Sequence, residues 1–187
     1  MKRFYTYIAI LLNLSCQGQE NKYKNYEVAL SELFELQKVD TEKITVLIDK
    51  SDYKLSILFK SEVVKDYPIV FGENPTEDKL KQGDGCTPEG TFHIVSKYPH
   101  KKWSKFIWID YPNNDSWKKH NKAKKEGKIS ESADIGGEIG IHGVPTGMNK
   151  LVDLKYNWTL GCISLKNKDV NEIYPYFNEK TDIVIQK

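Results

Sequence analysis

The stretch IHGVPTGMNKLVDLKYNWTLGCISL, residues 141–165, contains one histidine and one cysteine in similar settings. His142 ends a short apolar run and is followed by Gly143, whereas Cys162 follows Gly161 and opens another apolar run. Short apolar runs of this kind are typical of buried strands. We therefore predict that both side chains stand at strand ends, each beside a glycine that lets the backbone turn or approach a ligand closely.

Runs rich in β-branched and aromatic residues surround this stretch on both sides. Polar and glycine-containing segments separate them, which is the pattern of short strands joined by turns. The sequence therefore predicts a mostly β domain over residues 44–187. The predicted strands are ITVLID, KLSILF, VVKDYPIVF, TFHIVSKY, KFIWIDY, EIGIH, GCISL and TDIVIQ.

A few short helices are expected outside these strands. Residues 26–39 place apolar side chains at helical spacing. Asp115 is a candidate N-cap for an exposed helix within the long polar segment 111–137, which carries a lysine cluster from Lys118 to Lys128. Asn167 is a candidate N-cap for NKDVNEIYPYF. Because segment 111–137 enters just before His142, we expect it to form a wall or lid over the site.

The N-terminus is typical of an export signal. Lys2 and Arg3 precede the uncharged run FYTYIAILLNL, which is too short to span a bilayer but suits a signal-peptide core. Cys16 follows this run after the small residue Ser15, which resembles a lipoprotein cleavage site, and ordinary cleavage near Gly18 is the alternative. We predict a signal peptide over residues 1–16 with lipidation of Cys16, and a tether with a short helix over residues 17–43. The mature protein is then expected in the cell envelope or periplasm, anchored to a membrane by lipid.

Length and charge limit the functional classes. The chain has 187 residues, which predicts one domain with an extra segment at an end. Hydrophobic residues make up 39% of the chain and the net charge is +2. A dedicated nucleic-acid-binding protein normally has a clear basic excess, so we expect no nucleic-acid partner. We expect a monomer.

Cys162 and His142 are the candidates for nucleophilic chemistry. A thiol nucleophile needs a base within reach, donors for an oxyanion and a lowered pKa, so we predict a reactive thiol of low pKa at Cys162. The sequence lacks the His-Glu-x-x-His and Cys-x-x-Cys motifs of metal sites and the Gly-x-Ser-x-Gly motif of serine hydrolases. We therefore expect no metal and no cofactor. A disulfide between Cys86 and Cys162 in an exported protein is the structural alternative.

Two motifs in order resemble the catalytic domain of the YkuD-type L,D-transpeptidases. That family has a His followed, after a spacer, by Ser/Thr-x-Gly-Cys. Here the matching residues are His142 and Thr159-Leu160-Gly161-Cys162, and Cys162 lies twenty positions after His142. The segment GDGCTPEGTF, residues 83–92, resembles a second family motif, and YPNNDSWKKH a third. The family order, His before Cys, differs from that of NlpC/P60 cysteine hydrolases. The resemblance covers about residues 44–186.

The resemblance implies a fold, a reaction and a role for each matching residue. The fold would be a β-sandwich of two mixed sheets. Cys162 would be the nucleophile and His142 its base, with the Gly143 carbonyl orienting the imidazole. The N–H groups of Gly161 and Cys162, with that of Leu160, would form the oxyanion hole. Cys86 lies in the second motif, where many residues occur, and would be a bystander thiol.

The substrate implied by the resemblance is a peptidoglycan stem peptide. Cys162 would form an acyl-enzyme that passes to an amine of another stem. Thr159, Leu160 and Ser164 would contact this substrate, although Leu160 replaces a frequent His and Ser164 a frequent Arg or Asn. The alternatives are a carboxypeptidase or amidase that uses the same Cys-His pair for hydrolysis, and a non-catalytic wall-binding lipoprotein.

Overall fold

A computed structural model of the protein describes residues 22–187. The predicted signal peptide and Cys16 lie outside the described residues. Each of the eight predicted strand segments contains a strand, with shifts of a few residues at the ends. The strands are β1 Ile44–Asp49, β2 Lys54–Phe59, β3 Glu62–Val70, β4 Gly90–His100, β5 Ser104–Ile109, β6 Gly140–Gly143, β7 Ile163–Leu165 and β8 Asp182–Gln186.

The strands close into one mixed barrel in the order β1-β2-β3-β7-β6-β5-β4-β8. The pairs β1/β8 and β6/β7 are parallel and the other pairs are antiparallel. The predicted mostly β fold is confirmed, whereas the predicted sandwich of two mixed sheets is not, because β8 pairs with both β1 and β4 and closes the strands into one barrel. Alternating apolar residues predict a strand, but they do not specify which partners it takes.

The helices are short and lie outside the barrel. They are α1 Leu30–Leu36, α2 Asn114–Lys125, α3 Lys150–Asp153 and α4 Asn167–Ile173. Two predicted caps are wrong. Asn113, not Asp115, caps α2, because its side chain accepts from the N–H groups of Asp115 and Ser116. Lys166 precedes α4 and makes no side-chain cap, so Asn167 is the first helical residue.

The apolar side chains of all eight strands fill the barrel and extend to α1 and α4. The strand β6 and the strand β7 lie side by side in its wall, so the two halves of the His-Cys stretch become neighbours in space. Among residues 22–187, every helix is too short or too polar to cross a bilayer. The largest fully buried side chains are Tyr67, Lys65, Phe71, Phe92, Phe177, Leu30, Ile44, Ile48, Leu55, Ile57, Ile69 and Ile107.

Candidate active site

His142 and Cys162 line the same open cavity of about 900 Å³ on the barrel wall. His142 belongs to β6, and Cys162 immediately precedes β7, the parallel neighbour of β6. Aromatic side chains form most of one side of the cavity. The parallel pairing of β6 and β7 therefore brings together two residues that lie twenty positions apart in the sequence. The aromatic lining residues are Tyr98, Trp103, Phe106, Trp108 and Trp158.

The imidazole of His142 is held in one tautomer. Its Nδ1 lies 2.8 Å from the carbonyl oxygen of Gly143. A carbonyl oxygen only accepts hydrogen bonds, so Nδ1 carries the proton of the neutral ring. Nε2 is then left with a free lone pair, which is the form that a general base requires.

Three aromatic rings enclose this imidazole. Trp103 stacks on it with ring centroids 4.4 Å apart, Phe106 stacks at 5.6 Å, and Trp158 meets it edge-on at 5.6 Å. Phe106 reaches this position because it pairs with His142 across β5 and β6. His142 is only 1% exposed. Burial among these rings lowers the pKa of His142 to about 4, so the imidazole is neutral at pH 7.

Cys162 presents a partly exposed thiol to the cavity. Its Sγ donates to the carbonyl oxygen of Glu138 at 3.5 Å. Burial raises the pKa of the thiol to about 11, which outweighs the opposing effects of the Gly140 backbone and Lys79. The prediction of a low pKa is therefore wrong. At pH 7 the pair consists of a neutral thiol and a neutral imidazole.

The turn before Cys162 is stabilised by the side chain of Thr159. The Thr159 hydroxyl donates to the Cys162 carbonyl at 2.7 Å and accepts from the Gly161 N–H at 3.2 Å. Through this second contact the N–H of Gly161, one of the predicted oxyanion donors, is engaged within the turn. Gly161 has φ +142° and approaches the carbonyl of Cys86 so closely that a Cβ would lie 2.6 Å from its oxygen. Any larger residue would displace the turn.

Gly143 is required by close packing. A Cβ there would lie 2.1 Å from Asn167 Oδ1 and 2.6 Å from the Trp103 carbonyl oxygen. The Gly143 N–H donates to that same Trp103 carbonyl at 3.0 Å. The backbone that holds the imidazole is thus fixed by the β4–β5 hairpin.

The three predicted substrate contacts have different positions. Thr159 and Leu160 line the cavity, and Leu160 is 75% exposed at its rim. Ser164 does not line it. Ser164 pairs with His142 and with Val70, but it is fully buried, and its Oγ has no hydrogen-bond partner among the described residues. The expectation that Ser164 borders the substrate is therefore wrong, because Ser164 is buried in β7 between β3 and β6.

The long segment 111–137 contributes a wall through its last residues and the adjoining Glu138, rather than through its helix. Gly136, Gly137 and Glu138 line the cavity. The helix α2 instead packs against loop 78–90, where His120 Nδ1 lies 2.6 Å from the Leu80 carbonyl oxygen. The helix therefore supports a second wall of the site, which Lys79, Gln82 and Gly83 contribute.

Cys86 is a free and buried thiol close to the site. No disulfide joins it to Cys162. Its Sγ donates to the Asp84 carbonyl at 3.4 Å, and burial, with the Asp84 charge, raises its pKa to about 11. Within residues 22–187, no group of three or more His, Cys, Asp or Glu side chains is arranged to hold a metal ion.

Sequence reasoning missed the aromatic enclosure and Glu138. Trp103 and Phe106 lie in the hairpin segment PHKKWSKFIW, where every second residue beyond the turn faces the same side. That alternation could have placed Phe106 and Trp108 on one face, but it could not have added Trp103, which precedes β5 by one residue and is three positions from Phe106. It could not have shown that β5 pairs with β6, which is what brings Phe106 onto His142.

Three solved structures illustrate the fold that this chain shares. The helical cell shape determining protein Pgp2 from Campylobacter jejuni is 23% identical, with a TM-score of 0.56 over 77% of this chain and 47% of that chain. Bd1075 from Bdellovibrio bacteriovorus is 22% identical, with a TM-score of 0.52 over 77% and 48%. An L,D-transpeptidase from Xylanimonas cellulosilytica is 15% identical, with a TM-score of 0.51 over 76% and 60%.

The match with Pgp2 and Bd1075 covers about half the length of each of those two proteins. At these identities the likeness is one of fold. A comparison with curated proteins finds no match. The family comparison is more specific, because residues 43–185 match YkuD, the L,D-transpeptidase catalytic domain. The chain therefore belongs to the YkuD family of L,D-transpeptidase catalytic domains.

Proposed function

We propose that the protein is a cysteine-dependent L,D-transpeptidase that acts on peptidoglycan stem peptides. The observation that supports this proposal is that a neutral His142, with its proton on Nδ1, lines the same cavity as Cys162. A thiol of raised pKa is a poor nucleophile until a base removes its proton. The site is thus suited to general-base activation at the moment of attack rather than to a resting thiolate.

In the first step, Sγ of Cys162 leaves its contact with the Glu138 carbonyl and gives its proton to Nε2 of His142. The sulfur attacks the carbonyl of the diamino acid at the third stem position. The amide bond to D-alanine breaks, and His142 returns the proton to the departing amine. The product is a thioester on Cys162.

The negative charge that develops on the substrate carbonyl oxygen during this step needs hydrogen-bond donors. The N–H of Gly161 is engaged with Thr159, so we assign the oxyanion contact to the backbone N–H of Cys162, supported by that of Leu160. Thr159 then acts through the turn, because its two hydrogen bonds set the direction of both peptide groups.

In the second step, the side-chain amine of another stem attacks the thioester. The carbon–sulfur bond breaks and an amide forms, while a proton of the amine reaches the sulfur through His142. Transfer competes with hydrolysis by water, and it prevails when the acceptor is held in line. The L,D-carboxypeptidase alternative uses the same groups with water as the acceptor.

Product analysis tests the proposal. Purified protein and a Cys162→Ala control are incubated with disaccharide-tetrapeptides, and the products are separated by mass. Cysteine-dependent dimers that have lost one D-alanine support transpeptidation. Tripeptides alone, at high acceptor concentration, assign the protein to the carboxypeptidases. No product with the wild-type protein contradicts action on stem tetrapeptides and directs attention to murein–protein links or to a non-catalytic wall-binding role.

We also propose export and lipid anchoring through Cys16, with action on murein that contributes to cell shape. Pgp2 of C. jejuni, which shares the fold, is a helical cell shape determining protein, and this supports the proposed role in cell shape. The Cys16→Ala variant should move from the membrane to the soluble fraction of the envelope. An unchanged distribution, with a mature N-terminus beyond Cys16, contradicts the anchor.

A further inference from the structure

Glu138 places a carboxylate in the wall of the catalytic cavity. The residue is exposed, lines the cavity and follows directly on Gly136 and Gly137. Its own carbonyl oxygen accepts from the Cys162 thiol, which fixes the residue next to the nucleophile. Its negative charge also contributes to the raised pKa of Cys162, so the carboxylate is within electrostatic range of the sulfur.

The backbone at Glu138 is held in an uncommon conformation. Its φ is +59°, in the left-handed region that residues other than glycine seldom adopt. The next residue, Ile139, is buried and its carbonyl accepts from the Ile109 N–H at 3.1 Å. On the other side, the Asp134 carbonyl accepts from the Gln82 N–H at 2.8 Å. Such conformations persist where the surrounding structure fixes them, often at functional sites.

The Glu138 charge lacks a partner in the described part of the chain. None of the ion pairs among residues 22–187 includes it. Lys79, which also lines the cavity, is buried and already paired with Asp84 at 2.9 Å. The rest of the lining is mainly aromatic and apolar. The cavity therefore presents an uncompensated negative charge beside the nucleophile, which favours a cationic ligand.

We infer that Glu138 binds the protonated primary amine of a diamino-acid residue and thereby recruits the acceptor for the Cys162 acyl-enzyme. The inference rests on the proposed function, since it names the residue that selects an amine over water. The acceptor enters as an ammonium ion and loses one proton to solvent by way of the Glu138 carboxylate. The neutral nitrogen then attacks the thioester, the carbon–sulfur bond breaks, and the second proton reaches the sulfur through His142.

The first experiment measures binding without turnover. A stem tripeptide is used with its side-chain amine either free or acetylated, and the measurement is how well it protects Cys162 from alkylation by iodoacetamide. The wild type, Glu138→Gln and Glu131→Gln are compared. Glu131 is exposed on the same segment but does not line the cavity, so it is the matched control. In the wild type and the control, the free amine should protect at about tenfold lower concentration than the acetylated one.

Glu138→Gln should abolish that difference, because the amine and the carboxylate then no longer interact. Without peptide, the same variant should be alkylated faster at a fixed pH, since removal of a negative charge favours the thiolate. A merely structural disturbance would not produce both changes. An equal preference for the free amine in wild type and Glu138→Gln would overturn the inference, whether or not the protein shows any turnover.

The second experiment identifies the source of the amine. The acyl-enzyme is formed from a tetrapeptide with an acetylated side-chain amine, and its partition between water and a free-amine acceptor is measured. For Glu138→Gln, the acceptor concentration for half-maximal transfer should rise about tenfold, whereas for the control Glu131→Gln it should stay at the wild-type value. An unchanged partition would overturn the acceptor role of Glu138. If Glu138→Gln then slowed acylation only by donors with a free side-chain amine, Glu138 would be assigned to the amine of the donor stem.

Discussion

Cys86 and Cys162 are two thiols of one molecule that share a Gly-Cys pair but have different surroundings. Each follows a glycine, and the Cys86 carbonyl packs directly against Gly161. Burial raises the pKa of both thiols to about 11. Cys86 is 2% exposed and donates to a carbonyl beneath the surface, whereas Cys162 opens into the cavity that also contains His142.

The difference shows what makes one of these thiols suited to catalysis. It is not the acidity, because the pKa of neither thiol is lowered. It is access to a ligand together with a neutral imidazole whose Nε2 is free.

Removal of the two thiols should give opposite results. Cys162→Ala should lower the formation of stem-peptide products by ~10³-fold or more, because the acyl-enzyme cannot form. Cys86→Ala should keep most of the activity and cost about 1 kcal/mol of stability from the small cavity. Product yield by mass spectrometry and thermal unfolding measure both effects. Equal losses of activity would show that the thiols do not differ in function.

The two thiols should also differ in their response to pH. With a pKa near 11, alkylation of Cys162 should rise about tenfold per pH unit between pH 7 and 10, because the thiolate fraction rises in that proportion. Cys86 should stay unmodified in the native protein. Peptide mapping after brief exposure to iodoacetamide gives both rates. A plateau for Cys162 between pH 5 and 8 would instead indicate a thiolate–imidazolium pair.

The pH dependence of acylation by substrate should follow the titration of His142 rather than that of the free thiol. The imidazole is neutral above its pKa of about 4 and protonated below it. The rate of acylation should therefore persist down to about pH 5 and fall as the pH drops through 4, where the base is lost. A fall that begins near the ordinary histidine pKa would show that the aromatic enclosure does not desolvate the ring.

Much of this contrast could be predicted from sequence, and the part that could not has a physical cause. The short apolar runs around His142 and Cys162 predict strands, and the order of the motifs predicts their roles. Local sequence also suggests an exposed Ser164, since alternation places it on the same face as Cys162. In the structure Ser164 is instead fully buried in β7, which lies between β3 and β6, and alternation alone cannot show that Val70 of β3 becomes its neighbour.

The pKa of Cys162 is a second property that local sequence does not predict. A Gly-Cys pair near a histidine suggests a lowered thiol pKa, but desolvation depends on all atoms around the sulfur. Those atoms include segment 136–140, which reaches the site only because β6 lies between β5 and β7. The closed barrel likewise depends on β8, whose alternating residues do not indicate its two partners.

Thr159 distinguishes the turn at Cys162 from the one at Cys86 by its two hydrogen bonds within that turn. Thr159→Val keeps the shape and removes both, so we expect about a tenfold loss in the rate of acylation. Thr159→Ser keeps the hydroxyl and should retain most of the rate. Single-turnover acylation followed by mass spectrometry measures this. Equal rates for the valine and serine variants would show that the hydroxyl does not set the turn.

The smallest expected effect concerns Trp103, which covers one face of the His142 ring. Trp103→Leu should admit water to that face and weaken the desolvation that lowers the imidazole pKa. The pKa should then rise from about 4 toward its ordinary value near 6.5, by about one unit.

The acid limb of the acylation profile should move to higher pH by the same amount, while the rate at pH 7 changes by only about twofold, because the ring is still mostly neutral there. Trp117→Leu is the matched control, since Trp117 is exposed on α2 and does not line the cavity. A uniform loss at every pH, with the limb unmoved, would mean that Trp103 contributes shape alone. A shift of the acid limb would show that the aromatic enclosure keeps His142 neutral. A neutral imidazole in the same cavity is what distinguishes Cys162 from Cys86.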